Sequence, residues 1–396
     1  MTVGTALHPR TAVLNSTLQW REWSGYFAAS VYATSPDIEY NAIREAAALI
    51  DVSPLFKYQV HGPDAVRLVD RVITRDATKI RVGQVAYAVW CDEDGRVVDD
   101  GTIARLDDVT FRWTAADPTL RWLRQNARGL DVRVDEVTES VAALALQGPL
   151  ARWVLEVATG ESFGDLRYYR RRPSHLGRVP IDVTRTGYTG DLGYELWIPA
   201  AQAVRAWDAI MAAGRPFGLR PAGMLALDLV RIEAGLILID VDYTSVRRAV
   251  TAEQAYSPFE IGLGRLVDLA KADFVGRRAL EAEQRAGGPS RRLVGLEIAW
   301  ADVESLHAVH GLPPTVPAVG WRQPVPLYAS GRQVGRATSG CWSPLLKRNV
   351  ALGSVPAAYA DLGTTLRIEW TVEATRGLAN ATVVPLPFLD LERRRA

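Results

Sequence analysis

A chain of 396 residues is too long for one ordinary core and predicts two or three domains. Hydrophobic residues make up 48%, charged residues 23% and the formal net charge is +1, which describes a globular protein without the basic excess that a nucleic-acid binder needs. No apolar run of about 18 residues occurs, and the N-terminus lacks a basic segment followed by an apolar one, so no membrane partner is expected and the cytoplasm is the expected location.

Trp20, Trp23, Tyr26, Phe27 and Tyr32 crowd together ahead of the first strong helix, as core or as the lining of a pocket for a flat or methylated cationic group. After Pro36, residues Ile38, Ala42, Ile43, Ala46, Leu49 and Ile50 fall near helical spacing, with Ser35 or Asp37 as cap, and predict an amphipathic helix running to about residue 50. Residues 52–62 alternate like a strand and 63–72 turn helical. Two strands joined by a turn at Asp92 to Gly95 fill 84–106. The second carries Asp99 and Asp100 inside an apolar run. Strands disfavour aspartate, so the pair marks a bulge, a charged edge or a site.

A strand leads into a helix over 110–124, and a buried strand from Val141 ends in Gln147-Gly148-Pro149. The run Tyr168 to Arg172 is exposed charge or an anion contact. In TRTGYTGDLGYELWIP, residues 184–199, glycines at 187, 190 and 193 let the backbone take positive φ and pass close to its neighbours, and the strand that follows holds Glu195 at the mouth of this loop. Residues 201–213 and 225–235 read as helices, the second bearing Arg231 and Glu233. The segment Asp240 to Tyr243 is a plain loop or part of a pocket wall. A polar linker at 281–292 precedes short strands from 293 to 384, a small all-β domain in which 302–324, with His307 and His310, is expected as an exposed loop. Cys91 and Cys341 stand far apart outside any CxxC, and neither they nor the five scattered histidines suggest a metal site.

The stretch TGYTGDLGYE resembles the TGYTG-x-x-GYE signature of the glycine-cleavage T-protein (aminomethyltransferase) family, whose members bind tetrahydrofolate and move a one-carbon unit onto or off it. VVDDGTIARL, VAALALQGPL, LALDLVRIEAG, SPFEIGLGRLVDL, DFVGRRAL and ATSGCWSPLLKRNVALGSVP are similar to further blocks of that family, in the family order, from about Asp37 to about Phe388. The resemblance implies an α+β protein built as a three-domain cloverleaf of the aminomethyltransferase type. Its parts would be an interleaved domain of 1–51 and 141–285 with the central folate loop, an inserted domain of 52–140, and a C-terminal β-barrel-like domain of 286–396.

It also implies that Tyr188 and Glu195 lie against the pterin, that Tyr87 and Arg231 touch the cofactor, and that Asp100 is the catalytic carboxylate near the reacting nitrogens. A pterin offers a flat face to a phenol ring, and its amino-pyrimidine edge presents adjacent N–H donors that a carboxylate accepts in pairs. Asp99 is expected as a solvated or structural neighbour. The chain departs from the family pattern in five places: Pro54 replaces a common His, the stretch Thr114-Ala115-Ala116 replaces VN-S or VN-A, Leu227 an Arg, Gly101 a Leu and Arg265 a Trp.

The departures at Pro54, at Thr114 to Ala116 and at Leu227, with the aromatic N-terminal cluster, lean away from glycine cleavage and toward a tetrahydrofolate-dependent demethylase that moves a methyl group from a small O- or N-methylated substrate to N5. The alternative is the aminomethyltransferase of glycine cleavage, which would dock a lipoyl carrier protein. A related iron–sulfur maturation factor is disfavoured, because 185–191 has no thiol.

Overall fold

The structure is a computed structural model and describes residues 1–395. Strands Ala48–Asp51, Val141–Gln147, Arg171–Leu176, Val179–Thr184, Gly193–Pro199 and Arg220–Pro221 form one sheet, so its members come from both sides of residues 52–140. Gly193–Pro199 lies in its middle, antiparallel to Val141–Gln147 and Val179–Thr184. A second, five-stranded antiparallel sheet is made by Val85–Cys91, Val97–Arg105, Thr110–Ala115, Phe56–His61 and Arg133–Glu136, in that order. From residue 291 the chain closes a six-stranded barrel. The fold is α+β with a C-terminal closed barrel.

Alternation explains how the second sheet is used. Phe111, Trp113 and Ala115 point into its core with Trp90, Ile103 and Leu123, which puts Arg112 and Thr114 on the opposite face, toward the first sheet. Helix Met224–Glu233 is buried along nearly its whole length and packs against helix Pro36–Glu45 and against barrel strands. It therefore carries two ion-paired residues, Arg231 and Glu233, into a fully buried junction.

Two expectations are corrected and a third is narrowed to one of its alternatives. The helix after Pro36 ends at Glu45, capped at its start by Ser35, and Ala48–Asp51 is a strand of the first sheet. Short apolar runs satisfy either period, and here pairing with Val141–Gln147 decides. Inside the expected loop of 302–324, residues Trp300–Ala308 form a helix that packs on the barrel, and His307 is buried with Nδ1 against the Val303 carbonyl oxygen at 2.8 Å. Asp99 is fully buried rather than solvated.

Candidate active site

Asp99 and Asp100, neighbours on Val97–Arg105, face opposite ways. The Asp99 carboxylate accepts from the backbone N–H groups of Asp100 (2.8 Å), Ala116 (3.1 Å) and Asp117 (2.9 Å). It thus replaces strand pairing where Val97–Arg105 has parted from Thr110–Ala115, whose ladder begins only at Ile103. Gly101 sits in the same irregularity: a Cβ there would stand 2.1 Å from the Thr114 carbonyl oxygen, so the leucine common at this position in T-proteins has no room.

Asp100 turns to the other face and stays half-buried. Its Oδ2 accepts the phenol of Tyr87 at 2.6 Å, and its Oδ1 accepts the phenol of Tyr243. Among the described residues no Lys, Arg or His pairs with it. Burial pushes its carboxyl above the ordinary aspartate value, and the two phenols pull it back. Both phenols are pushed well above the ordinary tyrosine value, by burial first and then by the Asp100 charge, so they are protonated donors at neutral pH.

The loop of 185–192 is wound around a side chain from the neighbouring strand. Gln147 Oε1 accepts from Thr189 Oγ1 at 2.8 Å, and its Nε2 donates to the carbonyl oxygens of Thr186 (3.3 Å) and Tyr194 (3.4 Å). Gly187 and Gly193 leave space for that amide, and Gly190 takes φ +71° above Ala234. Tyr188, at the tip, donates to the Ile237 carbonyl oxygen and lies close enough to Asp100 to feel its charge. Glu195, half-buried on the strand that leaves the loop, accepts from the Thr186 hydroxyl. Burial raises its carboxyl, opposed by that hydroxyl and by the Arg112 guanidinium. Arg112 stacks over Trp197 with its Cζ 4.2 Å from the ring centroid and reaches Asp182 at 2.7 Å.

Tyr87, Asp100 and Tyr188 therefore come together, and Glu195 lies beside Arg112 where the two sheets face each other. Arg231 is placed differently. Its guanidinium is fully buried and paired with Asp242 and Asp228. Tyr243 and Arg112 were not singled out as site residues from the sequence; the signal for Arg112 was a lone cation in a strand buried on both faces. No group of three His, Cys, Asp or Glu suited to a metal ion occurs among the described residues. No helix is long and apolar enough to cross a membrane.

The structure thus brings a half-buried carboxylate held by two phenols next to a glycine-wound loop that leads into a second half-buried carboxylate. The chain matches the GCVT N-terminal domain over residues 5–271 and the glycine cleavage T-protein C-terminal barrel domain over residues 291–390. It belongs to the glycine-cleavage T-protein family and is a folate-dependent one-carbon transferase with tetrahydrofolate as its cofactor.

Among its relatives, an aminomethyltransferase of Symbiobacterium thermophilum is 35% identical over 90% of each chain. A trimethylamine-oxide aldolase of Ruegeria pomeroyi is 35% identical across all of this chain, which spans 48% of that relative's length. The crystal structure of the glycine cleavage system aminomethyltransferase T from Bartonella henselae superposes with a TM-score of 0.83 at 25% identity, covering 98% of this chain and 99% of that one.

Proposed function

We propose that the protein is a tetrahydrofolate-dependent demethylase that takes a methyl group from a small O- or N-methylated substrate to N5 of the folate, with Asp100 as its catalytic carboxylate. The observation that carries this reading is the grip on Asp100: a half-buried carboxylate without a cationic partner among the described residues, held by two phenols. Such a group attracts a proton or a developing positive charge more strongly than a salt-bridged one.

Tetrahydrofolate supplies a nucleophilic ring nitrogen. The residues fit it by their chemistry: Glu195 offers paired acceptors to the amino-pyrimidine edge, and Tyr87 and Tyr188 offer ring faces. Asp100 orients the reacting N–H by accepting from it and receives the proton lost there as the methyl C–O or C–N bond breaks. The departing alkoxide or amine takes up one proton in turn and leaves as the alcohol or protonated amine, so the exchange balances. Arg231 acts indirectly, fixing Asp242. The N-methylated branch is favoured by the relative named for trimethylamine oxide. Under the aminomethyltransferase reading, a lipoyl carrier protein would be the partner instead.

The test is incubation with tetrahydrofolate and a panel of N-methyl, methoxy and sulfonium compounds, followed by mass spectrometry of the folate. Appearance of 5-methyltetrahydrofolate with a panel member is the expected result. Turnover only with an aminomethyl-lipoyl carrier would overturn demethylation in favour of glycine cleavage.

A further inference from the structure

The C-terminal barrel reaches the carboxylate of Asp100 through three consecutive contacts. The first is a register shift in strand Arg332–Ser343 between Ala337 and Ser339. In a regular strand, adjacent side chains point to opposite faces, so Thr338 and Ser339 could not share a partner. The bulge turns both inward, and each hydroxyl donates to Oδ1 of Asp242, at 2.6 Å and 2.7 Å.

The second contact is Asp242 itself, 1% exposed. Its Oδ2 accepts from Arg231 and from the Leu238 backbone N–H at 2.9 Å, so the carboxylate knots the loop after helix Met224–Glu233 onto the barrel. The third is the next residue, Tyr243. Its backbone oxygen accepts from the Asp240 N–H at 2.7 Å, which fixes the turn, and its phenol donates to Asp100 Oδ1.

We propose that Tyr243 is a positioning residue for Asp100 and that the barrel sets its position through the Thr338–Ser339 bulge and Asp242. Seating of the barrel and the proton affinity of the site carboxylate are then linked. The proposal rests on the reading of Asp100 as the reacting group, and its test does not.

The charged and titratable groups around Asp100 are few: Asp99 beside it on the strand, Tyr87 on the adjacent strand, Tyr188 on the glycine loop and Tyr243. With no cation among them, the phenols are the main support of its ionised form. A hydrogen bond to a charged group is worth enough to move a titration midpoint by about one to two units when it is lost.

The experiment is carboxyl carbon-13 NMR on the full-length protein labelled at aspartate, without folate, with the Asp100 signal assigned by its loss in Asp100→Asn. Tyr243→Phe is expected to raise the Asp100 midpoint by about one unit. The pair Thr338→Val with Ser339→Ala keeps the phenol and is expected to raise the midpoint in the same direction by a smaller amount, whereas Thr338→Ser alone leaves it at the wild-type value.

An unchanged midpoint in Tyr243→Phe would overturn the positioning role. A shift there with none in the hydroxyl pair would overturn the barrel's part. Should Tyr243→Phe not fold, the hydroxyl pair still decides. A parallel tetrahydrofolate titration of the wild type separates these outcomes from a failure of the folate reading.

Discussion

Gly187 lies so close to Gln147 that a Cβ on the glycine would stand 2.0 Å from the Gln147 amide oxygen. Gly193 makes the same approach at 2.2 Å, so the glycines of the loop and the glutamine of the neighbouring strand are one packing unit. Gly187→Ala is expected to lower stability by about 1–3 kcal/mol through overpacking and to weaken folate binding by displacing Tyr188. Combining it with Gln147→Ala relieves the clash, so thermal unfolding of the double variant should show less than the sum of the single losses.

Glu233 joins three parts of the chain. Its carboxylate accepts from Arg44 Nη2 at 2.6 Å, from the Tyr40 phenol at 2.7 Å and from the Ser343 hydroxyl of the barrel, and it is fully buried. Glu233→Ala leaves the Arg44 guanidinium buried beside Asp191 alone and is expected to cost about 3–5 kcal/mol in denaturant unfolding.

The pH dependence of folate affinity follows from Glu195. Burial holds its folded pKa above the ordinary glutamate value, with Thr186 and Arg112 opposing. In the proposed role of Glu195 the charged carboxylate receives the pterin edge, so affinity is expected to be lost as pH falls through that raised value. Stability runs the other way: the folded state binds this proton more tightly than the unfolded chain, so the group's contribution falls as pH rises from the ordinary value to the raised one. Calorimetric titration across pH checks this, and Glu195→Gln should flatten the folate profile while weakening binding at neutral pH.

Much of this arrangement was legible in the sequence, for identifiable reasons. A pair of aspartates in an apolar strand left a bulge, a charged edge or a site open, and glycines at every third position left a plain turn or a shaped loop, so it was the family resemblance that singled out Asp100, Tyr188 and Glu195. Which aspartate faces the phenols follows from strand alternation once the core face is known. The segment Asp240 to Tyr243 was open as a loop or a pocket wall, but the partner of Tyr243 was hidden, because it lies 143 residues away and the turn is tied to a barrel bulge that no local pattern encodes.

Arg112 was hidden for a different reason. Every residue of Thr110–Ala115 is buried, so periodicity gives no inward or outward sense. The burial of Arg231 could not be read either: a helix enclosed between another helix and a barrel looks, in sequence, like one with a charged face.

The central claim is that Asp100 handles the proton of the reacting nitrogen while other residues hold the folate. It is tested most directly by comparing wild type and Asp100→Asn in two assays on the same preparations: equilibrium binding of tetrahydrofolate, and single-turnover formation of 5-methyltetrahydrofolate from the active panel compound. The account predicts a fall in the rate of about 10²–10⁴-fold with folate affinity changed by less than about tenfold. An unchanged rate would contradict the catalytic role of Asp100.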